Sequence, residues 1–191
     1  PSYGRITEEK QPNPLPVPEI AKESGLPMII HTRPSVGTMP ASNDSQAKRS
    51  DSGGDAYEDV FEILEADEAE KLTKLKAVLH CYQGDTEITR KFLSLPNIYF
   101  SFAGNVTYPV KKALAGSKDD ILETVKLVPM ERLFVETDCP YLAPQEHRGI
   151  RNEPSYVQLT AAKVAKVKNI AIEELGSSAE RSFQAVFGRS H

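Results

Sequence analysis

Cysteine is scarce in this chain: two in 191 residues, Cys81 and Cys139. Two such thiols do not make a disulfide framework, so a reducing, cytoplasmic setting is expected. No apolar run is long enough to span a bilayer and no secretory signal opens the sequence, so no membrane role is expected. Basic excess is also missing: 23 Lys and Arg face 27 Asp and Glu, a net charge of −4. That balance argues against sequence-independent DNA binding by a broad basic face, while leaving room for an enzyme that grips a few phosphates locally. No glycine-rich phosphate cradle is present, which removes support for a nucleotide cofactor. No internal repeat stands out. The length suits one cored domain or part of a larger one, and the first residue is Pro1 rather than Met, which suggests a fragment or processed product.

What is present is an alternation of short apolar runs and amphipathic stretches. Residues 1–18 are polar and end in alternating prolines (Gln11-Pro12-Asn13-Pro14-Leu15-Pro16-Val17-Pro18), which remove amide donors and favour irregular, extended backbone. A short helix is expected from Glu19 to Ser24, stopped by Gly25, and then a buried strand through Leu26-Pro27-Met28-Ile29-Ile30-His31. Residues 34–56 hold Pro, Gly, Ser, Asn and Asp and read as a solvated loop. A helix follows from Tyr57 to about Leu75, then a strand Ala77-Val78-Leu79-His80. Asp85 can cap a helix carrying Ile88, Phe92 and Leu95, and Asn97 to Phe102 reads as a third strand. Asp119-Asp120 opens a helix with Ile121, Leu122, Val125 and Val128, Leu133 to Glu136 is the fourth strand, and helices cover about Pro154–Lys168 and Ile172–Phe187. Strand and helix in alternation at short intervals imply parallel strands with helical crossovers. Four such units amount to half of an eight-stranded barrel, and the polar strand ends suit a barrel rim better than an open sheet.

Three of these strands lead into possible metal ligands: His31, His80 and Asp138. The C-terminal ends of barrel strands converge on one mouth, so residues far apart in sequence can meet there. Two imidazoles and a carboxylate suit zinc or another divalent ion; the plainer alternative is that each histidine satisfies a hydrogen bond at its strand end. Cys81 and Cys139 directly follow two of these positions, and side chains alternate along a strand, so both read as outward packing residues. Arg33, two residues beyond His31, could fork onto a phosphate or form a surface ion pair. His147, Arg148 and Arg151 lie in the loop after Asp138 and could hold a phosphodiester or tie the loop down. Gly84 and Gly104 follow their strands closely and permit tight turns.

The string Glu136-Thr137-Asp138-Cys139-Pro140-Tyr141-Leu142-Ala143-Pro144, followed by His147-Arg148-Gly149 and Arg151-Asn152-Glu153-Pro154, resembles the closing motif of the TatD family of metal-dependent deoxyribonucleases. Leu26 to Arg33 looks like that family's fifth strand with its histidine ligand, Leu79 to Gly84 like the sixth, Tyr99 to Gly104 like the seventh and Glu136-Thr137-Asp138 like the eighth. The resemblance implies a TIM-barrel-like, amidohydrolase-type α/β fold, here one partial barrel domain over residues 1–191 with about the last four β/α units. It implies His31, His80 and Asp138 as ligands of one or two divalent ions (zinc, magnesium or manganese), with Asp138 also the catalytic base. It further implies DNA as substrate, cut by a 3′–5′ exonuclease, with Arg33, His147 and Arg148 at the scissile phosphate. The family's His-x-His and metal-bridging glutamate have no counterpart in the sequence, segment 34–56 reads as an insertion, and Ser182 stands where asparagine is usual. The missing ligands and two open sheet edges support an alternative expectation, a non-catalytic chain that homodimerises or binds a partner. A third is hydrolysis of a small substrate such as an amide on the same fold.

Overall fold

The computed structural model of the protein describes residues 17–32, 56–69, 75–111, 115–117 and 120–188. The Pro-rich run up to residue 16, most of the polar segment 34–56, and Arg33 lie outside the described residues.

Four parallel strands form one sheet in the order β1 (Met28–His31), β2 (Ala77–His80), β3 (Ile98–Phe102), β4 (Leu133–Val135). Helices α2 (Ala56–Ala69), α3 (Thr86–Ser94) and α4 (Ile121–Leu127) lie in the connections between successive strands, while α1 (Val17–Ser24) precedes the sheet and α5 (Val157–Lys168) and α6 (Ile172–Phe187) follow it. This is the parallel, helix-connected arrangement that the alternation predicts. Asp85 caps α3 by accepting from the Glu87 and Ile88 amides at 2.8 and 2.9 Å, and Asp120 caps α4 through the Leu122 amide at 2.9 Å.

Register sorts the strand side chains onto two faces. Met28, Ala77, Leu79, Ile98, Phe100, Phe102 and Leu133 enter the main core with Tyr57, Phe61, Phe92, Val125, Val164 and Leu175 from the helices. The opposite face carries Ile29, Val78, Tyr99 and Phe134 and then becomes polar towards the strand ends, at His31, His80 and Ser101. The apolar part of this second face is closed by Val186 and Phe187 at the end of α6, which pack with Val78, Tyr99 and Phe134. Helix α6 is docked there by two hydroxyls, Ser178 Oγ donating to Met130 O at 3.1 Å and Ser182 Oγ to Glu131 O at 2.9 Å. Ser182, the departure from the family's asparagine, is therefore a buried docking contact. Lys168 donates from α5 to the carbonyls of Lys126 and Val128 at the end of α4, and burial lowers the pKa of its ammonium. Among the described residues β1 and β4 each have a single strand neighbour, and Ile29 on β1 is 66% exposed.

Several boundaries differ from expectation. Helix α1 starts at Val17, because Pro18 sits in a first turn where its missing amide has no intrahelical partner to lose. Leu75 already lies outside α2, and Pro154–Tyr156 is a 3₁₀ turn ahead of α5. Strand β4 ends at Val135, one residue earlier than expected, and Asp138 lies in the following turn.

Candidate active site

His31 and His80 are the last residues of β1 and β2 and are register partners, which places both imidazoles on the second face of the sheet. Their ring centroids are 5.3 Å apart. Asp138 joins them from the turn after β4: its Oδ1 lies 3.2 Å from His80 Nε2. The turn adopts a left-handed conformation at Asp138, φ +55°, and the Tyr141 amide donates to the Asp138 carbonyl at 2.9 Å. Aspartate is one of the few non-glycine residues that enters this region at modest cost. The structure thus gathers His31, His80 and Asp138 from three chain segments.

Glu136 is the residue that sequence reasoning did not assign. Both of its carboxylate oxygens lie 2.9 Å from His80 Nδ1. The same carboxylate accepts from the Cys81 amide at 2.8 Å and from Ser101 Oγ at 2.5 Å. An ionised carboxylate only accepts, so Nδ1 carries a proton and Nε2 is the nitrogen turned towards Asp138. An outer carboxylate of this kind fixes the orientation of a metal-binding imidazole and raises its basicity. The available signal was alternation: Glu136 lies two residues beyond Phe134, which shares a sheet face with Ser101.

The cysteines separate. Cys81 is buried, in a turn at φ +47° that aims its amide at Glu136, whereas Cys139 is exposed and not a packing residue. Strand alternation does not extend to Cys139, because β4 has already ended four residues earlier.

The loop after Asp138 is held by ring contacts. His147 stacks on Tyr156 with centroids 3.9 Å apart and 7° between planes. The Arg148 guanidinium lies 4.2 Å from the centre of the Tyr108 ring. Tyr108 in turn donates to Ala143 O at 3.0 Å, and burial raises its pKa, although Arg148 pulls the other way. His147 and Arg148 therefore both tie the loop down, one of the two roles left open by the sequence. Arg151 is exposed.

Gly84 and Gly104 serve close approach. A Cβ at Gly84 would collide with the Tyr82 ring, and one at Gly104 would run into the Leu142 carbonyl oxygen and reach Pro144 N at 3.0 Å. Gly104→Ala is expected to push Leu142–Pro144 away from the 3₁₀ turn that follows β3 and lower stability by about 1–3 kcal/mol, as overpacking does. A thermal melt compared with the wild type reads this directly, and an unchanged midpoint would contradict it.

The donor chemistry of this rim fits a divalent ion as part of a coordination shell. Two imidazoles lie side by side, and one of them faces the Asp138 carboxylate and is backed by the Glu136 carboxylate. Among the described residues no three His, Cys, Asp or Glu side chains are arranged to hold an ion by themselves.

The chain is similar to known proteins in sequence and in fold. A sequence model described as "TatD related DNase" matches residues 17–188. The chain is 36% identical over 168 residues to YabD of Bacillus subtilis, with 88% of this chain and 53% of the relative covered. It is 34% identical over 169 residues to YcfH of Escherichia coli K12, with 88% and 52% covered; both relatives are named as uncharacterized metal-dependent hydrolases. The chain thus spans about half the length of these relatives. Among solved structures, YjjV, a TatD homolog from Escherichia coli, aligns with a TM-score of 0.66 at 19% identity over 90% of this chain and 54% of its own. An uncharacterized amidohydrolase from Saccharomyces cerevisiae aligns at 0.60 and 21% identity over 86% and 54%. These likenesses show the fold, a TIM-barrel-like α/β architecture of which the four parallel strands are a part.

Proposed function

This chain belongs to the TatD family, and from that premise we propose that it contributes to a metal-dependent hydrolase that cleaves DNA phosphodiester bonds, trimming from the 3′ end. The observation that carries the proposal is His80, held at Nδ1 by Glu136 with Nε2 turned to Asp138 and its ring beside His31. His31, His80 and Asp138 would each contribute a ligand to a divalent ion whose shell needs further groups, and zinc, manganese and magnesium are the candidates. Such an ion lowers the pKa of water and offsets charge on a phosphodiester.

The protein's own groups supply the rest. Asp138 accepts the proton of the attacking water, a role worth about 10²–10⁴-fold in rate. Glu136 keeps the His80 ring from rotating and keeps its proton on Nδ1. His147 and Arg148, on a loop anchored by Tyr156 and Tyr108, are candidates to contact the scissile phosphate, and Arg33 is a third candidate by residue type.

The test is a substrate panel. The chain is incubated with Mn²⁺, Mg²⁺ or Zn²⁺ and with DNA labelled at its 5′ end, alongside small amides and esters. A ladder that keeps the label while the strand shortens is the expected result. Cleavage of the small substrates alone would replace the DNA reading with the amidohydrolase one, and hydrolysis of none would end the catalytic reading for this chain.

A further inference from the structure

We propose that Asn152 is a positioning residue for Asp138: it fixes the turn that aims the Asp138 carboxylate at His80. The inference rests on the reading of Asp138 as a member of the active site.

Asn152 is 2% exposed, and its side chain is fully engaged. Its Nδ2 donates to Thr137 O at 2.7 Å and to Tyr141 O at 2.6 Å. Its Oδ1 accepts from the Glu153 amide at 2.9 Å, and its own amide donates to Pro140 O at 3.2 Å. The two carbonyls gripped by one nitrogen belong to residues on either side of Asp138, fifteen and eleven positions back in the chain. Between them the backbone is left-handed at Asp138, φ +55°, and just beyond them it is left-handed at Leu142, φ +51°. A non-glycine residue persists in that region where its surroundings hold it. Asn152 supplies that hold without touching the Asp138 carboxylate, whose contact runs to His80.

The chemistry requires an amide. Two carbonyl oxygens need two donors, and a primary amide nitrogen carries two while its oxygen still accepts the Glu153 amide. Aspartate has the same shape and no donor, so it would set a carboxylate against two carbonyls. Alanine would leave both carbonyls without a partner. Glutamine would reach one methylene too far.

The experiment compares wild type with Asn152→Ala, Asn152→Asp and Asp138→Asn. Histidine side-chain ¹⁵N spectra are recorded on each, with the His80 signals assigned from a His80→Gln variant. Asp138→Asn is expected to shift the His80 Nε2 resonance by removing the charge opposite it. Folded Asn152→Ala and Asn152→Asp chains are expected to shift the same resonance comparably, because the carboxylate swings away. Where hydrolysis is measured, kcat in both falls about 10²-fold with KM little changed, the cost of a misplacement near 1 Å. A folded Asn152→Ala chain with the wild-type His80 resonance would overturn the proposal. So would loss of the fold in both Asn152 variants, since the residue would then hold the domain and not the turn. An unshifted His80 in Asp138→Asn overturns it too, because the two side chains would not be neighbours. Full hydrolysis by Asp138→Asn is a separate result: it removes Asp138 from the reaction and leaves the His80 spectra to decide what Asn152 positions.

Discussion

Under the proposed function, Asp138→Asn is expected to lower kcat/KM on DNA by about 10³-fold while leaving the protein folded. The size follows from the loss of proton acceptance, about 10²–10⁴-fold by itself. The substitution also removes the carboxylate charge that lies 3.2 Å from His80 Nε2. The fold should survive because Asn, like Asp, tolerates the left-handed backbone at φ +55°. The Tyr141 amide keeps its acceptor, because that bond goes to the main-chain carbonyl of residue 138. Alanine at the same position would add backbone strain and mix two effects, so the amide is the cleaner variant. Steady-state hydrolysis beside a thermal melt separates them. Activity within a few-fold of wild type would remove Asp138 from the chemistry, and a collapse in melting temperature would make it structural.

Glu136→Ala is expected to damage both stability and ion binding. Three donors converge on this carboxylate: His80 Nδ1, the Cys81 amide and Ser101 Oγ. Removing the acceptor strands them, and an unpartnered buried donor costs about 1–3 kcal/mol. Ser101 is buried, but the Glu136 and His80 side chains are partly exposed, so water can replace some of the loss. A net destabilisation of about 2 kcal/mol is expected, or about 4–8 °C in a domain of this size. Mn²⁺ or Zn²⁺ affinity should fall about 10–100-fold as His80 loses its orientation. Glu136→Gln keeps one acceptor but turns an amide donor towards a group that itself donates, so its effects should be intermediate. Isothermal titration with the metal and a melt on each variant check both halves. Undiminished affinity in Glu136→Ala would mean that His80 is oriented by something else.

Much of this arrangement could be read from local pattern. Short apolar runs bounded by turn residues marked the strands, because β2 and β3 are packed between layers and are largely apolar on both faces, whereas Ile29 on β1, expected to be buried, is exposed. Asp85 announced α3 because a carboxylate before an amphipathic run satisfies free amides. His31 and His80 were visible as polar residues closing apolar strands. What pattern could not supply was the far side of each contact. Glu136 meets His80 and Ser101 only because β2, β3 and β4 are parallel neighbours in a particular register. The assignment of Cys139 to packing failed where β4 gave way to a turn, since alternation has no meaning outside a strand. The ring partners of His147 and Arg148 lie nine residues ahead and forty behind in the chain, beyond any short-range periodicity.

The sequence by itself determined the kind of elements, their order and the family, because backbone preference and burial pattern are local properties and the closing motif is contiguous. Tertiary structure alone decided which donor meets which acceptor: Glu136 behind His80, Asp138 in front of it, and Asn152 beneath the turn. Those pairings depend on strand register and on turn dihedrals, both of which are settled by packing across the sheet.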